Sequence, residues 1–147
     1  MNNSSAEPTV GQLASRQEIE STFPIMRQLR PHLVATTYVA TIERLQADGF
    51  KLAGVTVAGQ LVAVAGYRFG ESLAYGRHCY VDDLVTGDGA RSHGHGKMLL
   101  DWLIAQARLA GCQALHLDSG VQRHGAHRFY LRERFDIVSH HFKISLA

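Results

Sequence analysis

A turn rich in glycine joins a strand-like run to a helical one in the segment Asp83-Leu84-Val85-Thr86-Gly87-Asp88-Gly89-Ala90-Arg91-Ser92-His93-Gly94-His95-Gly96-Lys97. The apolar run ends at Thr86, and a helical pattern begins at about Gly94. A helix start offers unpaired backbone N–H groups and the positive end of the macrodipole, and glycine lets an anion approach the backbone closely. Arg91 and Lys97 add positive charge. The segment therefore predicts an anion site that suits a phosphate group.

Two common phosphate loops do not match this turn. The P-loop places Ser or Thr after Gly-Lys, whereas Met98 follows Gly96-Lys97 here. The dinucleotide fingerprint requires glycines in the order Gly-x-Gly-x-x-Gly, and the last glycine is missing after Gly94-His95-Gly96. Neither nucleotide-binding loop explains the turn.

Length and composition indicate one globular domain, residues 1–147, with residues 1–8 as a flexible tail. With 46% apolar and 19% charged residues, the chain is unlike a disordered protein, and its net charge of +2 argues against a nucleic-acid-binding one. We recognise no leader segment and no apolar run of membrane-spanning length. Cys79 and Cys112 are interpreted as buried free thiols. We therefore expect a cytoplasmic protein with no nucleic-acid or membrane partner.

Hydrophobic periodicity and turn residues predict four helices and five strands. The helices are expected at Ser15–Leu29, Val34–Ala47, about Gly94–Ala110 and about Gln122–Glu133, and Pro24 is expected to break or kink the first. The strands are expected at Lys51–Val57, Leu61–Tyr67, Leu73–Thr86, Ala114–Leu117 and Asp136–Leu146. This order predicts an α/β fold with a central sheet and helices on its faces.

Several motifs resemble those of the GCN5-related N-acetyltransferases, the GNAT family. Arg91-Ser92-His93-Gly94-His95-Gly96 matches its Arg/Gln-x-x-Gly-x-Gly/Ala motif. Asp82-Asp83-Leu84-Val85-Thr86 resembles its acidic-then-apolar fourth strand, and Ala126-His127-Arg128-Phe129-Tyr130 resembles its Ala-x-x-Phe-Tyr helix. Phe135 matches the aromatic residue that follows this helix. The resemblance extends from about Leu61 to the C-terminus.

The resemblance implies the GNAT fold, a mixed central sheet of about six to seven strands flanked by about four helices, with the fourth and fifth strands splayed. It also implies acetyl-CoA as cosubstrate and no metal or second cofactor. The pantetheine arm would enter the splay, between the backbone of Leu84, Val85 and Thr86 and the strand Leu115–Asp118. The pyrophosphate would lie on the turn, on backbone N–H groups of Ser92, His93, Gly94, His95, Gly96 and Lys97, with Arg91 beside it.

Two positions depart from the family pattern. Arg123 stands where the family often has Asn, so it would contact CoA differently, through a phosphate. Arg134 replaces the usual glycine before the final aromatic residue, so the turn after the fourth helix is not expected to use a glycine conformation.

Acetyl transfer to an amine requires a route for the proton of the amine and an acid for the departing thiolate. The resemblance assigns the acid to Tyr130, whose alternative role is to pack its ring. Asp82, Asp83 and Asp118 are the candidates for the base or for holding a cationic acceptor. Strict alternation places Asp82 and Asp83 on opposite faces of the strand, so that one of them would only anchor a loop.

Other polar groups have two interpretations each. The backbone amide of Val85 or Thr86 can steady the acetyl carbonyl oxygen, and Ser119 can line the pocket or shape its turn. The histidine pairs at 93 and 95, 124 and 127, and 140 and 141 lack the third ligand and the carboxylates that a zinc site needs. His78 and His116 are interpreted as structural.

The hypothesis for function is an acetyl-CoA-dependent N-acetyltransferase acting on a primary amine of a small molecule or peptide by direct transfer in a ternary complex. The alternative is a non-catalytic acyl-CoA sensor or interaction module on the same fold. The aspartates suggest a cationic acceptor, whereas Arg30, Arg77 and Arg123 can equally hold a carboxylate. The first two helices, with Phe23, Met26, Arg30 and His32, are expected to shape the acceptor site. A homodimer is possible through a C-terminal strand such as Phe142 to Leu146.

Overall fold

The computed structural model describes residues 6–90 and 93–147. The strands are β1 (Thr9–Leu13), β2 (Lys51–Val57), β3 (Gln60–Ser72), β4 (Gly76–Thr86) and β5 (Ala114–Leu117). The helices are α1 (Arg16–Leu29), α2 (Ala35–Ala47), α3 (His95–Leu109) and α4 (His124–Arg132), with a 3-10 turn at Asp88–Ala90. The chain divides into two compact units, one ending at His116 and the other comprising Leu117–Ala147.

The strands form one mixed sheet in the order β1-β2-β3-β4-β5. Neighbours from β1 to β4 pair antiparallel, whereas β5 lies parallel to β4 and splays from it. The predicted α/β fold, the helices on the sheet and the splay are therefore confirmed. The strand number implied by the resemblance is not, because the described residues contain five strands.

The two ends of the chain differ from the sequence-based expectation. β1, which was not predicted, pairs with β2 from Thr9↔Thr56 to Leu13↔Leu52. The predicted strand Asp136–Leu146 is absent, and its large apolar side chains are exposed, including Phe142 at 90% and Leu146 at 94%. An alternating side-chain pattern is compatible with a strand, but a strand forms only where a neighbouring strand supplies partners for its backbone hydrogen bonds.

α1 begins with a capping box and passes through a proline. The backbone N–H of Glu18 donates to Oγ of Ser15 (3.1 Å), and the backbone N–H of Ser15 donates to Oε1 of Glu18 (3.0 Å). The helix continues through Pro24, so the predicted break is wrong. Proline removes one backbone hydrogen bond, and the buried Ile25 and Met26 that follow it keep this part of the helix packed.

Helices α2, α3 and α4 end in the same Schellman motif. After α2 and α3 the left-handed residue is Gly49 (φ +100°) and Gly111 (φ +74°). After α4 it is Arg134 (φ +68°), with Phe135 N–H donating to the Tyr130 carbonyl (3.0 Å). The expectation that this turn avoids a glycine conformation is therefore wrong. The paired hydrogen bonds and the ring contact between Tyr130 and Phe135, 5.5 Å between centroids, hold Arg134 in it.

Helices cover both faces of the sheet. α1 and α2 pack in one apolar cluster with residues of the sheet: Ile19, Met26, Tyr38, Ile42, Phe50, Leu52, Val64 and Val85. Thr22 and Tyr38, both buried, join α1 to α2 through their hydroxyls at 2.7 Å. On the other face, Trp102 of α3 meets the Tyr67 ring edge-on at 6.1 Å. Val64 and Tyr67 of β3 point to opposite faces, as alternation requires.

Both cysteines are free. Cys79 is fully buried, which confirms its interpretation, and burial raises the pKa of its thiol to about 12. Cys112 is half-buried. Among the described residues, no helix has the length and apolar character needed to cross a membrane.

Candidate functional site

The candidate site starts from a bulge in β4. Gly66 of β3 pairs with Asp83 of β4, but the next residue, Tyr67, pairs with Val81, so Asp82 is an extra residue. The bulge breaks strict alternation, and the prediction that Asp82 and Asp83 point to opposite faces is wrong. Both carboxylates bind arginines on the face that α1 and α2 cover.

Each of the two carboxylates is held by a different arginine. Nε of Arg30, which follows α1, donates to Oδ1 of Asp83 (2.9 Å), and a terminal nitrogen of the same guanidinium donates to the Asp82 carbonyl (3.0 Å). Nε of Arg68 on β3 donates to Oδ2 of Asp82 (3.0 Å). The Arg68 guanidinium also lies over the Phe50 ring, 5.6 Å from its centroid. The end of α1 is thereby tied to β4.

Asp83 is the more buried of the two aspartates, with its side chain 14% exposed against 25% for Asp82. Burial raises the pKa of the Asp83 carboxyl, and Arg30 opposes that shift by donating a hydrogen bond and by its positive charge. Arg30 therefore favours the charged form of this carboxyl, whereas burial favours the neutral form.

Gly66 makes room for this carboxylate. A Cβ atom added at Gly66 would lie 2.6 Å from Oδ2 of Asp83 and 2.6 Å from Cε2 of Phe50. Any larger residue would displace one of these groups. The glycine thus lets the Asp83 carboxylate and the Phe50 ring meet against the sheet.

A cavity of about 330 Å³ opens beside Asp83. Its lining combines an apolar floor with a few polar groups: Met26, Arg30, His32, Leu33, Tyr38, Thr41, Ile42, Leu45, Phe50 and Asp83. The first two helices and the loop between them supply most of these residues. Met26, Arg30 and His32 line it as the sequence suggested, whereas Phe23 instead packs its ring against Tyr38 at 5.1 Å.

The glycine-rich turn leads from β4 into α3. Gly94 is the N-cap of α3, in the left-handed conformation (φ +78°) and without a side-chain cap hydrogen bond. In the first turn, Nδ1 of His95 is buried and has no hydrogen-bond partner in the described part of the chain, and Lys97 lies 3.4 Å from the Asp101 carboxylate. His93 stacks on His95, with centroids 5.8 Å apart. The predicted Arg91 and Ser92 lie outside the described residues.

β5 faces only the first part of β4. The backbone N–H of Gln113, just before β5, donates to the Arg77 carbonyl (2.7 Å), and β5 is four residues long. Because the two strands are parallel and rise at about the same rate, β5 ends well before the level of Leu84, Val85 and Thr86. On its other edge this segment pairs with β3, up to Thr86↔Ala63.

Within the unit Leu117–Ala147, Tyr130 lies on α4 with its ring near Phe129 and Phe135. Burial raises the pKa of its phenol, and the charge of Arg123, the N-cap residue of α4, lowers it. The phenol is therefore protonated at neutral pH. Arg123 thus lies close enough to influence Tyr130 electrostatically.

Asp118 and Ser119 follow β5 in the same unit. The Asp118 carboxylate, 45% exposed, lies 3.5 Å from Nδ1 of His141, which completes an ion pair when that histidine is protonated. Oγ of Ser119 is buried, and no described residue gives it a hydrogen bond. A buried hydroxyl without a partner is costly and is a feature of sites that a ligand completes.

Several histidines contact each other or the backbone. Nε2 of His116 and Nδ1 of His78 lie 2.9 Å apart in a hydrogen bond between β5 and β4. Nε2 of His127 bonds to the Gly120 carbonyl (2.8 Å). Among residues 6–90 and 93–147, no group of three or more His, Cys, Asp or Glu side chains is placed to hold a metal ion.

Three residues of this region were not singled out from the sequence: Gly66, Arg68 and Phe50. Arg30 was named for its charge, but its partner Asp83 lies 53 positions away in the chain. No local spacing could relate residues so distant. The glycine in the apolar run of β3 was the one available signal, because glycine inside a strand often marks a close approach.

The geometry of β4, the turn and α3 agrees with what comparison with known proteins finds. A family model of the acetyltransferase (GNAT) family matches residues 16–135. The chain belongs to the GNAT family. An uncharacterized N-acetyltransferase of Bacillus subtilis (strain 168), YhdJ, is 38% identical over 134 residues, covering 90% of this chain and 94% of that protein. This membership makes an acyltransferase the general activity.

Two further proteins are similar, one over part of the sequence and one in fold. The aminoalkylphosphonate N-acetyltransferase of Salmonella typhimurium (strain LT2) is 36% identical over 67 residues, 46% of this chain and 42% of that protein. The aminoglycoside N-acetyltransferase AAC(6')-Iy, solved in complex with CoA, superposes with a TM-score of 0.85 at 14% identity, covering 99% of this chain and 98% of that one. The latter likeness concerns the fold alone.

Proposed function

We propose that this GNAT protein is an acetyl-CoA-dependent N-acetyltransferase that transfers the acetyl group directly to a primary amine of a small molecule or peptide in a ternary complex. The carrying observation is how β4 ends and how α3 begins. β5 does not reach the backbone of Leu84–Thr86, and the turn ends in a left-handed Gly94 at the N-terminus of a 15-residue helix. An extended pantetheine arm fits the first feature, and a pyrophosphate fits the second.

The residues of the turn suit a CoA phosphate group. Gly94 leaves the first N–H groups of α3 without a side-chain cap, and the buried Nδ1 of His95 has no partner among residues 6–90 and 93–147. A bound anion would give both a partner. Arg91, Ser92, His93, Gly96 and Lys97 complete the proposed phosphate site on the strength of the motif, and Arg123 is proposed to contact a further phosphate.

Acetyl-CoA supplies the thioester whose carbonyl carbon the amine attacks. We assign to the Val85 or Thr86 amide the stabilisation of the negative oxygen that forms there. Tyr130, protonated at neutral pH, donates its proton towards the departing sulfur. The proton of the amine leaves through water or through one of the carboxylates Asp82, Asp83 and Asp118.

A small amine is the acceptor class that one sequence relative favours, since the name of the Salmonella typhimurium protein specifies an aminoalkylphosphonate. Cytoplasmic location belongs to the same proposal. A homodimer stays a prediction, which sedimentation at several protein concentrations would test.

One observation favours the alternative of a non-catalytic acyl-CoA sensor. Asp82 and Asp83 are both engaged by arginines, so neither is a free base in this arrangement. A sensor requires CoA binding but no proton transfer. It therefore predicts binding without turnover.

The first experiment combines calorimetric titration with acetyl-CoA and a thiol-release assay over amines, amino acids and peptides. We expect micromolar binding and thiol release. Binding without release over the whole panel would favour the sensor, and absence of binding would contradict both functions.

Two variants test the assigned roles. Gly94→Glu places a carboxylate in the proposed phosphate site, so CoA binding should weaken at least about tenfold. Gly111→Glu is the matched control, because Gly111 at the other end of α3 has nearly the same φ and equally open surroundings. Tyr130→Phe should keep CoA binding and lower turnover about 100-fold. Unchanged turnover would remove Tyr130 from the mechanism.

A further inference from the structure

The cavity beside Asp83 has the size and lining of a site for one small molecule. Its volume of about 330 Å³ is near the lower end of the range for ligand pockets, roughly 300–1,000 Å³. Met26, Leu33, Ile42, Leu45 and Phe50 give it an apolar floor. The occupant is therefore small and carries an apolar group of moderate size.

The charged groups of the lining lie side by side. Nε of Arg30 and Oδ1 of Asp83 are 2.9 Å apart, and both residues line the cavity. A ligand that binds both Arg30 and Asp83 must carry its positive and negative groups within a few bonds of each other. An α-amino acid has this arrangement, since one carbon separates its amine from its carboxylate.

Arg30 has donors to spare for an anion. Of the five N–H donors of a guanidinium, its bonds to Asp83 and to the Asp82 carbonyl use two. Its side chain is 44% exposed, against 14% for Asp83. The two protein bonds hold the guanidinium plane in place, so the remaining donors are oriented before a carboxylate arrives.

Asp83 provides the matching acceptor. Arg30 donates one hydrogen bond to Oδ1, and a carboxylate has about four acceptor sites, so the side of Asp83 that lines the cavity can still accept from an amine. An amine placed there would lie next to β4, close in sequence to Leu84–Thr86, the segment proposed to hold the pantetheine arm. The acceptor nitrogen and the acyl donor would thus meet at the same strand.

We propose that this cavity binds an α-amino acid with an aliphatic or aromatic side chain, with its carboxylate on Arg30, its amine at Asp83 and its side chain on the apolar floor. The proposal rests on the proposed N-acetyltransferase function and names its acceptor class. Arg30 is then the residue that determines specificity for an anionic amine.

The test compares L-leucine with two analogues that each lack one group. 3-Methylbutylamine lacks the carboxylate, and 4-methylpentanoate lacks the amine. Binding is measured by calorimetry with and without CoA, and thiol release is measured with acetyl-CoA. We expect L-leucine to bind at least about tenfold more tightly than either analogue, since each lost charged hydrogen bond weakens binding by about that factor or more. The phosphonate analogue of leucine shows whether a tetrahedral anion can bind in place of the planar carboxylate.

Variants of Arg30 test whether this residue binds the carboxylate of the ligand. In Arg30→Gln the preference for L-leucine over 3-methylbutylamine should fall below about twofold. Arg16→Gln is the matched control: this arginine lies at the other end of α1, 3.7 Å from the Glu43 carboxylate, does not line the cavity and should leave the preference unchanged. If Arg30→Gln unfolds, Arg30→Lys keeps the charge without the planar fork and should lose part of the preference.

The outcomes separate the two proposals. Equal binding of L-leucine and 3-methylbutylamine, no binding of L-leucine, or a preference that survives Arg30→Gln would each overturn the amino-acid proposal. Thiol release with another amine would leave the N-acetyltransferase function standing in all three cases. Loss of acetyl-CoA binding would contradict that function, while leucine binding measured without CoA still decides what the cavity recognises.

Discussion

At the scale of single residues, Gly66 controls the geometry of the candidate acceptor site. Its missing side chain leaves the space that the Phe50 ring and the Asp83 carboxylate occupy. Gly66→Ala should therefore lower the free energy of unfolding by about 1–3 kcal/mol, the usual cost of overpacking a buried position. It should also weaken acceptor binding, because Asp83 must move away from Arg30. Urea denaturation and acceptor titration measure the two effects.

Gly11 provides the control for this substitution. It lies in β1, and a Cβ atom added there meets nothing within 4 Å. Gly11→Ala should leave the free energy of unfolding within about 0.5 kcal/mol of the parent protein. A similar result for Gly66→Ala would mean that Phe50 and Asp83 move aside without cost, and the close approach would then have no role in the site.

At the scale of elements, the end of α4 stores strain that the ends of α2 and α3 avoid. All three use a left-handed residue, but only α4 places a side chain there, at Arg134. A non-glycine residue in this conformation lowers the free energy of unfolding by roughly 1–2 kcal/mol. Replacing it with glycine recovers only part of this, because glycine also gives the unfolded chain more conformational freedom. Arg134→Gly should therefore raise the free energy of unfolding by about 0.5–1 kcal/mol, measured by urea denaturation.

The reverse change at an equivalent position tests the same cause. Gly111→Ala puts a side chain at the left-handed position after α3 and should lower the free energy of unfolding by about 1 kcal/mol. If Arg134→Gly instead destabilises the protein, the Arg134 side chain must make a stabilising contact that outweighs the strain.

At the scale of the whole molecule, stability is concentrated in the sheet and the helices that pack on it. Leu103 of α3 is fully buried, whereas Leu146 near the C-terminus is 94% exposed. Leu103→Ala should cost about 2–5 kcal/mol by leaving a cavity, and Leu146→Ala should change the free energy of unfolding by less than about 0.5 kcal/mol. Thermal and urea unfolding of the pair give the comparison.

A large loss of stability in Leu146→Ala would show that the C-terminal segment is buried in solution. Sedimentation of the same variant at several concentrations would then decide whether a second copy covers it. This outcome would support the predicted homodimer.

Much of the fold follows from local patterns. The periodicity of α3, the apolar runs of β2 and β5 and the glycines after α2 and α3 placed these elements within a residue or two, because each depends on neighbouring residues alone. β1 was not predicted, and the C-terminal segment was wrongly predicted as a strand, for the opposite reason. A strand exists only where another strand supplies its hydrogen bonds, and that depends on distant parts of the chain.

The sequence by itself determined the family and predicted an anion site at the glycine-rich turn, since contiguous motifs carry both. Only the tertiary structure decided how Asp82 and Asp83 are oriented, which arginine holds each carboxylate, and where the cavity lies. The bulge at Asp82 arises from the pairing of β4 with β3, and Arg30 reaches Asp83 across 53 positions. Such contacts depend on how the whole chain packs, which no local spacing of residues records.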